Sequence, residues 1–379
     1  MSIQLVKDVV PNTQIFFGKD SIYELDLPKG NVLLVISPSL DSVFVQRFIF
    51  YFNNLNVNFI LVSKSSGEPW SECIDNSFAN ITKKWSGVVG IGGGSVLDYA
   101  KALAVLSGNG GSISDYEFGD RKIQAITPLW LIPTTCGSGS EVTQYCVINN
   151  SSTGRKFTLA HDLLKPVQTA VDSELLKFIP ARVRLETGLD AFTHCIEALL
   201  NCDRDVRVDR VSEEGLRIAY VILPKALDSN PSPELLEKLA TLSLYGGTSI
   251  SYNRTGLIHT LSVAFAPFMK MSHGLLNANL MYYALAYTLP HYDGRLKKII
   301  SNMFNTKIHS DEDALEKLVS WLDAIIGSTG FVVKGDLSNE KTKIVNRLLQ
   351  DKGLSNVTYG GINKNSIFDV VDRIINEAR

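Results

Sequence analysis

Hydrophobic residues in the first half of the chain come in short, β-branched runs: Asn31 to Ser37 (NVLLVIS), Asn58 to Ser63 (NFILVS), Gly87 to Ile91 (GVVGI) and Leu129 to Ile132 (LWLI). Segments of helical spacing separate them, the pattern of a parallel sheet with crossover helices. From about Pro180 the period changes. Apolar residues then recur at three and four over Arg184 to Leu200, Glu213 to Ala226, Pro233 to Leu244 and Asp311 to Ile326, which predicts helices. The expected architecture is an α/β N-terminal nucleotide-binding domain with a parallel sheet, residues 1–180, and an all-α C-terminal domain, residues 181–379. The join falls around Val171 to Arg182, where a proline interrupts, and a ligand cleft is expected there.

Composition removes several classes of function. The 379 residues are 45% hydrophobic and 20% charged, enough for two cored domains. Thirty-seven Lys and Arg against thirty-nine Asp and Glu leave a formal charge of −2, which gives no global field for nucleic acid or an anionic membrane. Five cysteines without a C-x-x-C pair suit a reducing compartment, so a cytoplasmic protein is expected. The polar N-terminus has no secretory apolar run, and no later run reaches membrane-span length.

Two glycine-rich turns carry the first candidate chemistry. In GVVGIGGGSVLDYAKALA a strand meets a helix through Gly92, Gly93 and Gly94, whose missing side chains free the torsions and allow close approach. Ser95 is expected to cap that helix, with Asp98 completing a capping box, and the helix N-terminus offers amides and a positive dipole end to a diphosphate. This is not G-x-G-x-x-G, and such turns are often only tight connections. A second loop, Pro133 to Glu141 (PTTCGSGSE), follows another apolar strand and supplies hydroxyls and exposed amides on the same sheet edge.

The second constellation is a metal set. Asp190 and His194, four apart in GLDAFTHCIEA, leave one helix face a turn apart. Alone, such a pair is more often solvated than ligating. His259, in the apolar segment GLIHTLSVAF, and His273, opening HGLLNANL, supply two more imidazoles, so one carboxylate and three imidazoles could close on one divalent ion. Zinc and ferrous iron both fit that donor set. Bound there, the ion would hold and polarise an alcohol or carbonyl oxygen, with a nicotinamide completing a hydride transfer. Glu197 is a possible partner for an imidazole N–H, but a surface glutamate is the plainer reading, and it stays outside the candidate set. Cys195 points about a hundred degrees away from His194 and reads as packing.

Together these segments, GGGSVLDYAKAL, PTTCGSGSEVT, VDSEL through GLDAFTHCIEA, and the histidines fourteen residues apart, resemble the iron-containing alcohol dehydrogenases, a family of dehydroquinate-synthase-like fold. The likeness runs from Ile15-Phe16-Phe17-Gly18 to HGLLNAN. It implies Fe(II) or Zn held by Asp190, His194, His259 and His273, reversible NAD(P)-linked alcohol oxidation, and a homodimer or larger assembly. It also implies that Gly93, Gly94, Ser95 and Asp98 lie at the diphosphate and nicotinamide, that Thr134, Thr135 and Ser138 line the nucleotide groove, and that Lys156 reaches a ribose. Two departures stand out. Ser37 ends the strand NVLLVIS where NAD-preferring members often carry an aspartate, which leaves NADP open, although Asp41 could slide toward that place. Val263 occupies the position of a further histidine tied to the proton relay, and reads here as a packing residue.

The implied function is a metal-dependent alcohol dehydrogenase or aldehyde reductase acting on a small molecule. Two alternatives share the fold. SLYGGTSISYNRTGLIHTL is weakly similar to branches that oxidise the terminal hydroxymethyl of an eight-carbon sugar acid, for which Arg254 could pair the acid group. A sugar phosphate cyclase of the dehydroquinate synthase type favours a different ligand arrangement. A non-catalytic binding protein is a third class, with Val263 as its only hint.

Overall fold

The computed structural model describes residues 2–10, 12–37, 40, 42–54, 58–63, 67–81, 84–327, 337, 339–350, 358, 360–361 and 363–377. Its N-terminal elements are α1 (Ser2–Val9), β1 (Gln14–Phe17), β2 (Asn31–Ile36), α2 (Ser42–Asn54), β3 (Asn58–Ser63), α3 (Ser71–Ala79), β4 (Gly87–Gly92) and α4 (Gly94–Asn109). These are followed by β5 (Leu129–Pro133), β6 (Tyr145–Asn149), β7 (Lys156–Ala160) and β8 (Gln168–Val171). Six strands form one all-parallel sheet in the order β1-β8-β5-β4-β2-β3, while β6 and β7 pair antiparallel.

The apolar runs of β2, β4 and β5 are strands buried on both faces, whose alternate residues serve two cores, whereas β3 is an edge strand with Leu61 exposed. Leu33, Val35, Val88, Leu129 and Leu131 pack with α4 and with Ile148 and Phe157 of the β6–β7 pair. Val32, Leu34, Val89, Ile91, Trp130 and Ile132 pack with Phe48 and Phe52 of α2 on the other face. Chain order turns back between β2 and β4, so the carboxyl ends of those strands form the crevice where open parallel sheets bind ligands.

From Ala181 onward every regular element among the described residues is helical: α5 (Ala181–Leu200), α6 (Asp209–Ile222), α7 (Pro233–Asn253), α8 (Leu257–Phe265), α9 (His273–Thr288), α10 (Arg295–Phe304), α11 (Asp311–Ile326), α12 (Lys341–Gln350) and α13 (Lys364–Glu377). Two compact units result, Met1–Pro180 with Asn230–Gly247, and Ala181–Ser229 with Thr248–Arg379. The helix expected to stop near Leu244 runs through Gly246 and Gly247 to Asn253. Gly247 is there for contact rather than termination: a Cβ on it would lie 2.8 Å from the Gly139 carbonyl oxygen. The helix expected to reach Ala226 ends at Ile222, and Pro224 turns the chain into a short 3₁₀ segment.

Within the first unit, α4 holds the segment that follows β5. Lys101 is fully buried and donates from Nζ to the carbonyls of Thr143 (2.9 Å) and Tyr145 (2.7 Å). Burial draws its pKa down, against the pull of Asp98. Asp98, one turn earlier, accepts from Ser140 Oγ at 2.6 Å and from the Val147 amide at 3.0 Å. Truncating Lys101 to Ala should leave two carbonyls without a donor beside a cavity and lower stability by about 3 kcal/mol in urea denaturation. A loss below about 0.5 kcal/mol would show that these bonds do not hold the segment.

Candidate metal centre and nucleotide loops

Helix α5 is buried on nearly every face from Gly188 to Leu200, yet it carries a polar stripe. Asp190, His194 and Glu197, with Asn201 just past the helix end, recur at helical spacing and are all less than a tenth exposed. Polar groups so placed need partners from neighbouring elements. The turn before α8, and α8 itself, supply them. Glu197 Oε1 accepts from the amide of Ile258 at 2.6 Å, and Oε2 lies 2.5 Å from His259 Nδ1. Asn201 Nδ2 donates to the carbonyls of Asn253 and Arg254.

Helix α9 closes the set. At Gly274 it packs so near α5 that a Cβ would overlap the Glu186 carbonyl and sit 3.0 Å from the Asp190 amide nitrogen. That approach brings Asn277 Nδ2 to 2.9 Å from Asp190 Oδ1 and 3.2 Å from His259 Nε2. It also places His273, whose Nδ1 lies 3.1 Å from Ser262 Oγ of α8.

Around Asp190 Oδ1 the Nε2 atoms of His259, His273 and His194 stand at 3.3, 3.7 and 3.9 Å. Ligand atoms of Asp190, His259 and His273 all fall within 4.8 Å of one another, a group able to hold a metal ion. His194 lies outside that tight group, its ring stacked on His259 at 4.7 Å and 13°. A tetrahedral ion with bonds near 2.1 Å needs ligand separations of about 3.4 Å, so the donor set fits a divalent cation. On His259 and His273 the second ring nitrogen is engaged, by Glu197 and Ser262, which leaves Nε2 toward the shared point.

Electrostatics agree. Burial alone would raise the Asp190 carboxyl, but His194, His273 and His259 together hold it well below the usual carboxylate range. Burial would likewise lower His259, yet Glu197 and Asp190 on its two sides push it up to about 9. Without a metal, a proton on His259 does part of a cation's work. Cys195 is buried, and its thiol is pushed up to about 12, consistent with packing. Val263 is 41% exposed, so the packing role expected of it is not observed.

The nucleotide candidates gather in the first unit at adjacent strand ends. The Thr134 amide donates to the Gly92 carbonyl at 2.9 Å, and a Cβ on Gly94 would lie 2.7 Å from Ser138 Cβ, while one on Gly93 would lie 3.2 Å from Thr135. None of Gly92, Gly93 and Gly94 has positive φ, so close approach rather than torsional freedom requires them. The expected Ser95 cap is absent. Helix α4 starts at Gly94 with Gly93 as N-cap and no side-chain cap bond, which places Ser95 second in the helix. Asp98 then lies two residues too deep for a capping box and binds Ser140 and Val147 instead. Gly93, Gly94 and Ser95, around the start of α4, are half-buried beside the second loop. Thr134 is buried, and Lys156, at the start of β7, pairs with Glu68 at 3.3 Å. Ser37 follows β2, its amide donating to Ile91, whereas Asp41 lies outside the described residues.

Against known proteins, a profile described as iron-containing alcohol dehydrogenase matches residues 12–173, and one for the C-terminal part of the Fe-containing alcohol dehydrogenase family matches residues 184–375. The chain belongs to the iron-containing alcohol dehydrogenase family. It is 32% identical over 202 residues to NAD-dependent methanol dehydrogenase of Bacillus methanolicus, covering 53% of each chain, so the match spans about half of that enzyme. Choline dehydrogenase of Bacillus subtilis is 29% identical over 300 residues, 77% of this chain and 74% of that one. An iron-containing alcohol dehydrogenase structure from Thermococcus thioreducens superposes with a TM-score of 0.85 at 22% identity, over 96% of this chain and 98% of the other, which shows a shared fold. No helix among the described residues is long and apolar enough to cross a membrane.

Glu197, Ser262, Gly274 and Asn277 are site residues outside the predicted set. The signal was spacing: Glu197 and Ser262 stand three residues after His194 and His259, and Asn277 stands four after His273.

The two shifted groups give opposite pH signs in the metal-free protein. His259, raised from 6.5 to about 9, contributes stability fully present below pH 6.5 and lost as pH climbs to about 9. Asp190, depressed from 3.8, contributes stability present above that pH and lost in stronger acid. Urea midpoints of metal-stripped protein should fall between pH 6.5 and 9.5, and Glu197→Gln should flatten that fall; a flat wild-type profile would contradict the assignment. Gly274→Ala should separate α9 from α5 and cost about 2 kcal/mol or more. Wild-type stability in that variant would show that the approach is not needed.

Proposed function

We propose that this chain is an alcohol dehydrogenase or aldehyde reductase that uses NAD(P) and one divalent ion, Fe(II) or Zn, held by Asp190, His194, His259 and His273. The observation that carries the reading is the convergence of three imidazole Nε2 atoms on one carboxylate oxygen, at 3.3 to 3.9 Å. An ion bound there supplies Lewis-acid polarisation of a carbonyl or alcohol oxygen, and the nicotinamide supplies or accepts hydride. The protein's share is orientation. Glu197 fixes the His259 ring and sets its tautomer, Ser262 does the same for His273, and Asn277 donates to Oδ1 of Asp190, the oxygen on which the imidazoles converge.

In this reading the amides at the start of α4, with Gly93, Gly94 and Ser95, receive the diphosphate, while Thr134, Thr135 and Ser138 line the groove beside it. Asp98 acts through the segment it holds, and Lys156 would exchange Glu68 for a ribose hydroxyl. Ser37 brings no negative charge against a 2′-phosphate, so both nicotinamides belong in the assay. The five cysteines are free, which supports a cytoplasmic setting.

His273→Ala should weaken metal binding by more than about a hundredfold, since even outer partners of a ligand are worth 10–100-fold, and should abolish reduction of short aldehydes by NADH or NADPH. Full activity in metal-depleted wild type or in this variant would contradict the proposal.

A further inference from the structure

The second unit contains a cavity of about 30 Å³ bordered by residues of α5, α8 and α9. None of the four candidate ligands lines it, but Glu197, the partner of His259, does. Leu200, Leu257 and Leu285 give it apolar wall, while Glu197, Asn201 and Thr358 bring oxygen atoms to it.

Two of those oxygens lack a protein partner. Thr358 is 6% exposed, and its hydroxyl makes no hydrogen bond among the described residues, although its carbonyl is tied to the Gly361 amide at 2.9 Å. Asn201 is 2% exposed and spends Nδ2 on the carbonyls of Asn253 and Arg254, while its Oδ1 accepts from no described residue. Buried polar atoms of this kind call for a partner. Glu197 has acceptor capacity left as well. A carboxylate offers about four lone-pair sites, and the Ile258 amide, the His259 amide and His259 Nδ1 occupy three.

Gly256 brings the acceptors together. A Cβ on it would lie 3.2 Å from both Asn201 Oδ1 and Glu197 Oε1, so the bare glycine leaves open a space that a methyl would fill. A single water suits this place. It needs roughly 10–15 Å³ and about three polar partners, and both conditions are met. Its two protons match Asn201 Oδ1 and the Glu197 carboxylate, and one of its lone pairs matches the Thr358 hydroxyl proton.

We propose that this cavity is a water site and that Thr358, acting through the water, is a positioning residue for Glu197 and so for the His259 ring. The inference rests on the metal-centre reading and adds an outer layer to it. The first test is a high-resolution crystal structure of the full-length protein. Density for an ordered water within about 3.2 Å of both Thr358 Oγ1 and Asn201 Oδ1 is expected, and a cavity without density overturns the proposal. The second test loads the protein with Co(II), whose visible absorption reports ligand geometry. Thr358→Val, which keeps the shape and removes the hydroxyl, should weaken Co(II) binding by about tenfold and shift the d–d bands, as losing an outer partner of a ligand does, and Thr358→Ser should restore both. Gly256→Ala puts a methyl toward the water's place and should change affinity and spectrum in the same direction. A hydroxyl with a purely structural role would lower Tm and leave Co(II) affinity and spectrum at wild-type values, and that result also overturns the proposal. Should Thr358→Val fail to fold, the wild-type density and Gly256→Ala decide. If wild-type protein takes up no Co(II), the metal-centre reading falls, and the density still decides the water site separately.

Discussion

The second unit is organised by one requirement: a helix buried on almost every side carries four polar groups that must be satisfied. Asp190, His194, Glu197 and Asn201 cannot reach water freely, so α8, its preceding turn and α9 have to bring partners to them. Glu197 is the pivot. By accepting from the Ile258 amide it settles the start of α8, and by engaging His259 Nδ1 it aims Nε2 at Asp190. One carboxylate therefore sets both a backbone junction and a tautomer. Gly274 does the equivalent work for α9 by removing the side chain that would hold the two helices apart.

The first unit solves a different problem, how to leave helix amides available at a sheet edge. Helix α4 has a glycine N-cap and no capping side chain, so its first turn stays open to an anion. Asp98 and Lys101, one turn apart, fasten residues 140–147 against the same helix and thereby fix the loop that flanks this opening. Burial opposes the charge on both groups, and each draws the other toward its charged form beside their backbone and hydroxyl partners, which suits a fixed scaffold.

Much of this was legible because it rests on short-range periodicity. The strands β2, β3, β4 and β5 carry uninterrupted apolar runs, and Asp190 and His194 sit four apart on one helix, so pattern alone placed them. Strands β1 and β8, at four residues each, are too short to show a period. The Ser95 cap failed because the helix starts two residues earlier, inside the run of three glycines, with Gly93 as its N-cap. Glu197 was set aside because a glutamate on an amphipathic helix is normally outward; nothing local reveals that α5 is buried all round. That fact depends on α8 and α9, which meet α5 from more than fifty residues away. The gap between Asn253 and His259 hides the rest, since the left-handed turn at Arg254 has no glycine to announce it.

The central claim is that four side chains from three helices converge to hold a single ion. Anomalous diffraction at the iron edge, on crystals of protein reconstituted with Fe(II), tests it most directly. The account predicts one strong peak bounded by Asp190, His194, His259 and His273, with bonds of about 2.1 Å and Glu197 still on His259 Nδ1. A peak elsewhere, or well-ordered side chains with no ion among them after reconstitution, would contradict it.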